Sequence, residues 1–157
     1  MFIFIPVSTR LQMNLRSRRQ RQMCIRFRVH PFNGTLALSL IPVADPEKAT
    51  GTAATDGRRL FYDPKWMSKQ DILQTMGLIA HEVMHPALQH HTRRGQRDPE
   101  KWNVAGDHVI NLCLLKSGFI LPVGGLHDPR FEGMHTDDVY AALPDGAKGC
   151  KWGGVLD

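Results

Sequence analysis

The chain has 157 residues, 42% hydrophobic and 22% charged, which fits one domain with its own core and excludes a small scaffold that needs staples. Three widely spaced cysteines (Cys24, Cys113 and Cys150) form no CxxC pair, which excludes a disulfide framework and points to a reducing compartment. No apolar run approaches the ~20 residues needed to span a bilayer, and residues 1–5 are too short for a signal core, so a cytoplasmic location is expected.

The net charge of +5 is unevenly spread. Residues 1–30 hold seven arginines and no acid, so this leader carries +7 and the remainder of the chain carries −2. Such a leader can attract phosphates, as nucleic acid or anionic lipid. No aromatic interleaving or nucleic-acid motif accompanies the arginines, so the reading adopted is a disordered or extraneous extension.

Beyond the leader, residues 35–43 (TLALSLIPV) alternate apolar and polar in their first half and predict a strand. Residues 52–55 and 58–62 predict a hairpin around Asp56-Gly57, a dipeptide suited to tight turns. Ser68 with Asp71 resembles a capping box and opens a helix expected to run to about Thr92. Ile72, Met76, Ile79, Val83 and Leu88 supply its buried positions.

That helix carries His81-Glu82-Val83-Met84-His85, an HExxH motif. At about 100° per residue, His81 and His85 share one face and can grip one zinc ion. Glu82 sits beside that face, placed to serve as general base rather than ligand. Pro86 follows directly, removes a donor to the Glu82 carbonyl and predicts a kink. His90, His91, Arg93 and Arg94 fall at the carboxy end, where positive charge complements the helix dipole.

A catalytic zinc usually takes three protein ligands. His91 matches the histidine spacing of HExxHxxGxxH, but Leu88 stands where that pattern needs glycine, and on a continued helix His91 points about 240° from His85. Asp107 is preferred. A second helix, opened near Asp98-Pro99 and ended by Gly118, spaces Asn103, Asp107 and Asn111 by four on an otherwise apolar surface. Such a stripe needs something polar to face. His108 is an alternative ligand about 100° away, Asn103 or Asn111 can orient a ligand, and Cys113 fits a small core residue. Residues 117–135 read as an ordered loop with His127 on its surface, Thr136 caps a short helix to Leu143, and the segment after Pro144 reads as linker.

Together these motifs resemble one family. The stretch TDGRRLFY at 55–62, HEVMH at 81–85 with His90-His91 and Arg93-Arg94-Gly95, and Trp102-Asn103 with Ala105, Asp107 and Asn111 carry the resemblance. So do Leu121-Pro122, Gly124-Gly125-Leu126, Phe131, Gly133-Met134 and Asp138-Val139-Tyr140. This set is similar to the bacterial metallopeptidase-like domain that precedes a von Willebrand factor A-like domain, over roughly residues 31–144. The resemblance implies an α+β, zincin-like fold, a small sheet packed on two long helices. It also implies zinc held by His81 and His85 with Asp107 as a further ligand, Glu82 as base, and a peptide substrate. It further implies that a carboxy-terminal domain follows residues 145–157, and that an AAA-type ATPase is a partner. The chain departs from the pattern at Pro86, where an aliphatic residue is usual, and at His108, where a tyrosine or aliphatic residue is usual.

Overall fold

The computed structural model describes residues 31–49, 51–149 and 152, apart from the side chain of residue 38. The arginine-rich leader, Cys24 and Cys150 lie outside the described residues. The described elements are α1 (Pro31–Ser39), β1 (Ile41–Ala44), β2 (Ala53–Thr55), β3 (Arg59–Tyr62), α2 (Pro64–Met67), α3 (Ile72–Ala87), α4 (His90–Arg93), α5 (Pro99–Lys116), a 3-10 turn (Pro129–Phe131) and α6 (Thr136–Ala142). This is a mixed α+β arrangement: a three-stranded sheet beside two long helices, α3 and α5.

The predicted strand over 35–43 is mostly helix. Leu36, Ala37 and Leu40 recur at helical as well as strand spacing, and all three pack into one core with Leu60, Leu78 and Val83. A short apolar run is ambiguous between the two periods, and burial against α3 decides for the helix. Thr35 supports it by donating its hydroxyl to the Pro31 carbonyl at 2.8 Å. The strand that follows, β1, is shorter than expected and pairs in parallel with β3. The predicted hairpin is present: β2 pairs antiparallel with β3, with Thr55 opposite Leu60. Its turn uses the Asp56 carboxylate, which accepts from the Arg58 and Arg59 amides, and Gly57 supplies the positive φ of 83°.

The cap of α3 differs from expectation. Asp71 is the N-cap, accepting from the Leu73 and Gln74 amides, while Gln74 accepts in return from the Asp71 amide at 3.3 Å. Ser68 instead closes α2. Asp71 therefore begins the capping box rather than ending it. Gly77 lets the chain after α5 cross α3 closely, since a Cβ there would lie 2.1 Å from the Ile120 carbonyl oxygen.

The fold also ends α3 early. Pro86 lies inside the helix, which continues one residue further and stops at Ala87, short of the expected Thr92. Gln89 then takes a left-handed φ of 56°, and a separate turn, α4, begins at His90. Arg93 fulfils the expected capping role by donating to the Leu88 carbonyl at 3.3 Å.

Helix α5 starts as the sequence predicts, with Asp98 accepting from the Lys101 amide and Pro99 in the first turn, and it ends before Gly118, whose φ is 82°. Ile110 and Leu114 pack with Ala80 and Phe119 between the two long helices. On its other side Ala105 packs with Phe131 and Val139. Cys113 is exposed, contrary to its predicted core placement. Trp152 lies beyond the expected domain end at 144, yet it is buried among Leu40, Ala53, Leu60, Leu78 and Val83. No helix among the described residues is long and apolar enough to cross a membrane.

Candidate metal centre

One turn of α3 separates His81 from His85, and their Nε2 atoms stand 3.0 Å apart. Asp107 arrives from α5 with its Oδ1 3.4 Å from each Nε2. Among the described residues, these three form a group whose donor atoms converge closely enough to hold one metal ion. Their side chains are 0–1% exposed, and Glu82 is equally buried. A tetrahedral ion with nitrogen and oxygen ligands at 2.0–2.2 Å places neighbouring ligand atoms about 3.3–3.6 Å apart. Separations of 3.0, 3.4 and 3.4 Å need only small adjustment to meet that geometry.

The hydrogen bonds behind the ligand atoms decide where their lone pairs point. Asn111 donates its Nδ2 to the Leu126 carbonyl at 2.8 Å, so its Oδ1 faces His81 Nδ1, also at 2.8 Å. An amide oxygen only accepts, so the His81 proton sits on Nδ1 and a neutral ring presents a bare Nε2 to the centre. Asn103 Nδ2 lies 3.5 Å from the second Asp107 oxygen. Behind His85, Nδ1 meets His90 Nδ1 at 3.1 Å, and His90 Nε2 meets Thr136 Oγ1 at 2.9 Å.

The electrostatics fit a site that attracts positive charge. Burial raises the Asp107 pKa, but the His81 and His85 imidazoles beside it outweigh that and hold the carboxyl well below its usual range. Burial disfavours charge on His81, yet Asp107, Glu82 and Asn111 together raise its pKa above the ordinary value. His85 is lowered, first by burial and then by His81 and His91 against the pull of Asp107. His90 is pushed down to about 3, first by burial, then by His85 and Arg93.

The remaining candidates lie elsewhere. His91 is exposed, its ring 3.5 Å from where a Cβ on Gly57 would lie. His108 Nδ1 accepts the Asp128 amide at 3.2 Å, and its ring meets Phe131 edge-on at 5.0 Å. His127 is exposed and bonds the Gly125 carbonyl. Neither His91 nor His108 joins the group. Sequence reasoning missed His90, assigning it to helix capping, whereas it is buried behind His85. It also missed Trp152, whose ring meets that of His81 at 5.1 Å and whose Nε1 donates to the Pro122 carbonyl. Neither had a local signal: His90 stands five positions past His85 across a helix break, and Trp152 sits in a glycine-rich stretch.

Comparison with known proteins identifies a family for the chain. Residues 16–154 match the family model described as "Putative metallopeptidase domain", and the chain belongs to that family. It is also 32% identical over 114 residues to an uncharacterized protein of Thermotoga maritima. That alignment covers 69% of this chain and 28% of the relative, so the chain spans under a third of the relative's length. No solved structure matches.

Proposed function

We propose that the domain is a zinc-dependent peptidase of zincin type, with zinc held by His81, His85 and Asp107 and Glu82 as general base. The observation that carries this reading is the convergence, within 3.4 Å of one another, of two imidazole nitrogens from the helix that also bears Glu82 and one carboxylate oxygen from α5. Two neutral nitrogens and a carboxylate suit the borderline-soft zinc ion, whereas magnesium and calcium prefer oxygen donors. Zinc supplies Lewis acidity, polarising a peptide carbonyl and bringing the pKa of water near 7. Glu82 takes the proton of the attacking water and returns it to the leaving amine. Asn111 fixes the donor face of His81, and Asp107 adds negative charge that offsets the cation. The substrate is a peptide or protein segment, bound as an added strand along the small sheet. An AAA-type ATPase and a von Willebrand factor A-like domain are the partners proposed from the family resemblance, and the cytoplasm is the proposed location.

A second reading has its own support: complete burial of His81, Glu82, His85 and Asp107 also suits a metal-binding module without catalysis. Peptide hydrolysis assayed with Glu82→Gln separates the two. The enzyme reading requires zinc-dependent hydrolysis in the wild type, lost in the variant while zinc stays bound. Stoichiometric zinc without hydrolysis in either protein supports the module.

A further inference from the structure

Behind His85 the chain builds a second layer that the HExxH motif does not encode. His90 is 2% exposed and has both ring nitrogens engaged, Nδ1 with His85 Nδ1 at 3.1 Å and Nε2 with Thr136 Oγ1 at 2.9 Å. Two Nδ1 atoms in contact must divide donor and acceptor roles, because a hydrogen bond needs one proton between them. If His85 donates, its Nε2 keeps a lone pair aimed at His81 and Asp107. If His90 donates, a neutral His85 must carry its proton on Nε2, in the middle of the group. Only the first polarity leaves His85 able to bind a cation.

The fold is arranged to hold His90 in this place. Gln89 breaks the helix with a φ of 56°, a left-handed conformation that residues other than glycine rarely adopt, and the following residue swings back beneath His85. Trp102 Nε1 donates to the His90 carbonyl at 2.8 Å. Gly106 stands in the middle of α5, where alanine is the better helix former. A Cβ there would lie 2.7 Å from His90 Nδ1, so the missing side chain makes room for the ring. Asp137, next to Thr136, pairs with both Arg93 and Arg97 and ties α6 to the turn that carries His90.

We infer that His90 is a positioning residue that accepts the His85 Nδ1 proton, donates Nε2–H to Thr136, and so holds His85 in the tautomer and orientation that bind the metal. This inference rests on the metal-centre reading above. Partners of this kind are typically worth 10–100-fold in metal affinity.

The test compares zinc affinity, by competition with a chromophoric chelator, for the full wild-type chain and four variants. His90→Leu is expected to weaken zinc binding 10–100-fold. His90→Gln, which keeps an acceptor for His85 and a donor for Thr136, is expected to recover the larger part of that loss. Thr136→Val weakens binding less than His90→Leu, and His91→Ala, altering an exposed neighbour, leaves it unchanged. In zinc-loaded protein with 15N-labelled histidine, a coupling across the hydrogen bond between the two Nδ1 atoms is expected, with the His90 proton on Nε2. A role in packing alone produces neither the rescue nor the coupling. Equal zinc affinity in wild type and His90→Leu, or a His90 proton found on Nδ1, overturns the inference and leaves the metal centre standing. Failure of the wild type to bind zinc overturns both.

Discussion

His81 Nδ1 lies 2.8 Å from Asn111 Oδ1, joining the two long helices through one buried hydrogen bond between residues 30 positions apart. Because Asn111 is anchored on the Leu126 carbonyl, this bond sets the face His81 offers to the centre. Asn111→Leu is expected to lower zinc affinity about 10–100-fold by releasing the tautomer. The check is a chelator competition titration beside wild type, and an unchanged affinity would show that His81 needs no such orientation.

Glu82 should separate binding from chemistry. Glu82→Gln keeps volume and removes the base, so hydrolysis is expected to fall by about 10²–10⁴ while zinc binding persists. Peptide turnover and bound zinc, measured on one preparation, provide the check. Parallel loss of both would place Glu82 in the fold rather than the reaction.

The histidines give metal-free stability a pH dependence of mixed sign. His90 is held near 3, below its unfolded value of 6.5, so its contribution is complete above 6.5 and is lost as pH falls from there toward 3. His85, also lowered, acts in the same direction. His81 is raised, so its contribution is complete below 6.5 and is lost as pH climbs through its folded value. Thermal unfolding of metal-free protein should therefore show a falling midpoint from pH 6.5 toward 4, at up to about 1.4 kcal/mol per unit for each proton taken up. His90→Gln should flatten that slope. A slope equal to that of wild type would show that His90 does not set it.

Zinc binding adds its own dependence. A proton on His81 competes with the ion, so affinity should rise with pH, about tenfold per unit for one displaced proton, until His81 is neutral. Titrations between pH 6 and 8 measure this. An affinity flat across that range would contradict competition at an imidazole.

Gly77 provides a test of the frame that holds the site. With the Ile120 carbonyl 2.1 Å from any added Cβ, Gly77→Ala should force the backbones apart and cost about 1–3 kcal/mol. Chemical denaturation reads that loss directly, and wild-type stability in the variant would mean the crossing is looser than it stands.

The parts of this molecule written locally were the legible ones. The Asp98-Pro99 start of α5, the Asp56-Gly57 hairpin and the i, i+4 pairing of His81 with His85 each follow from neighbours in the chain. What sequence reasoning misplaced depends on tertiary contact. Leu36, Ala37 and Leu40 fit two periods, and only packing against α3 chose the helix. Pro86 suggested distortion without showing that the break would come at Gln89 and turn His90 inward. Trp152 gave no periodic signal, because a single anchoring residue in a glycine-rich stretch has no pattern to belong to.

Zinc titration of metal-free protein at neutral pH, read by calorimetry, bears most directly on the whole account. One ion is expected per wild-type chain, with uptake abolished in the His81→Ala, His85→Ala double variant. A wild type that takes up no zinc, or a double variant that still fills to the same level, would contradict it.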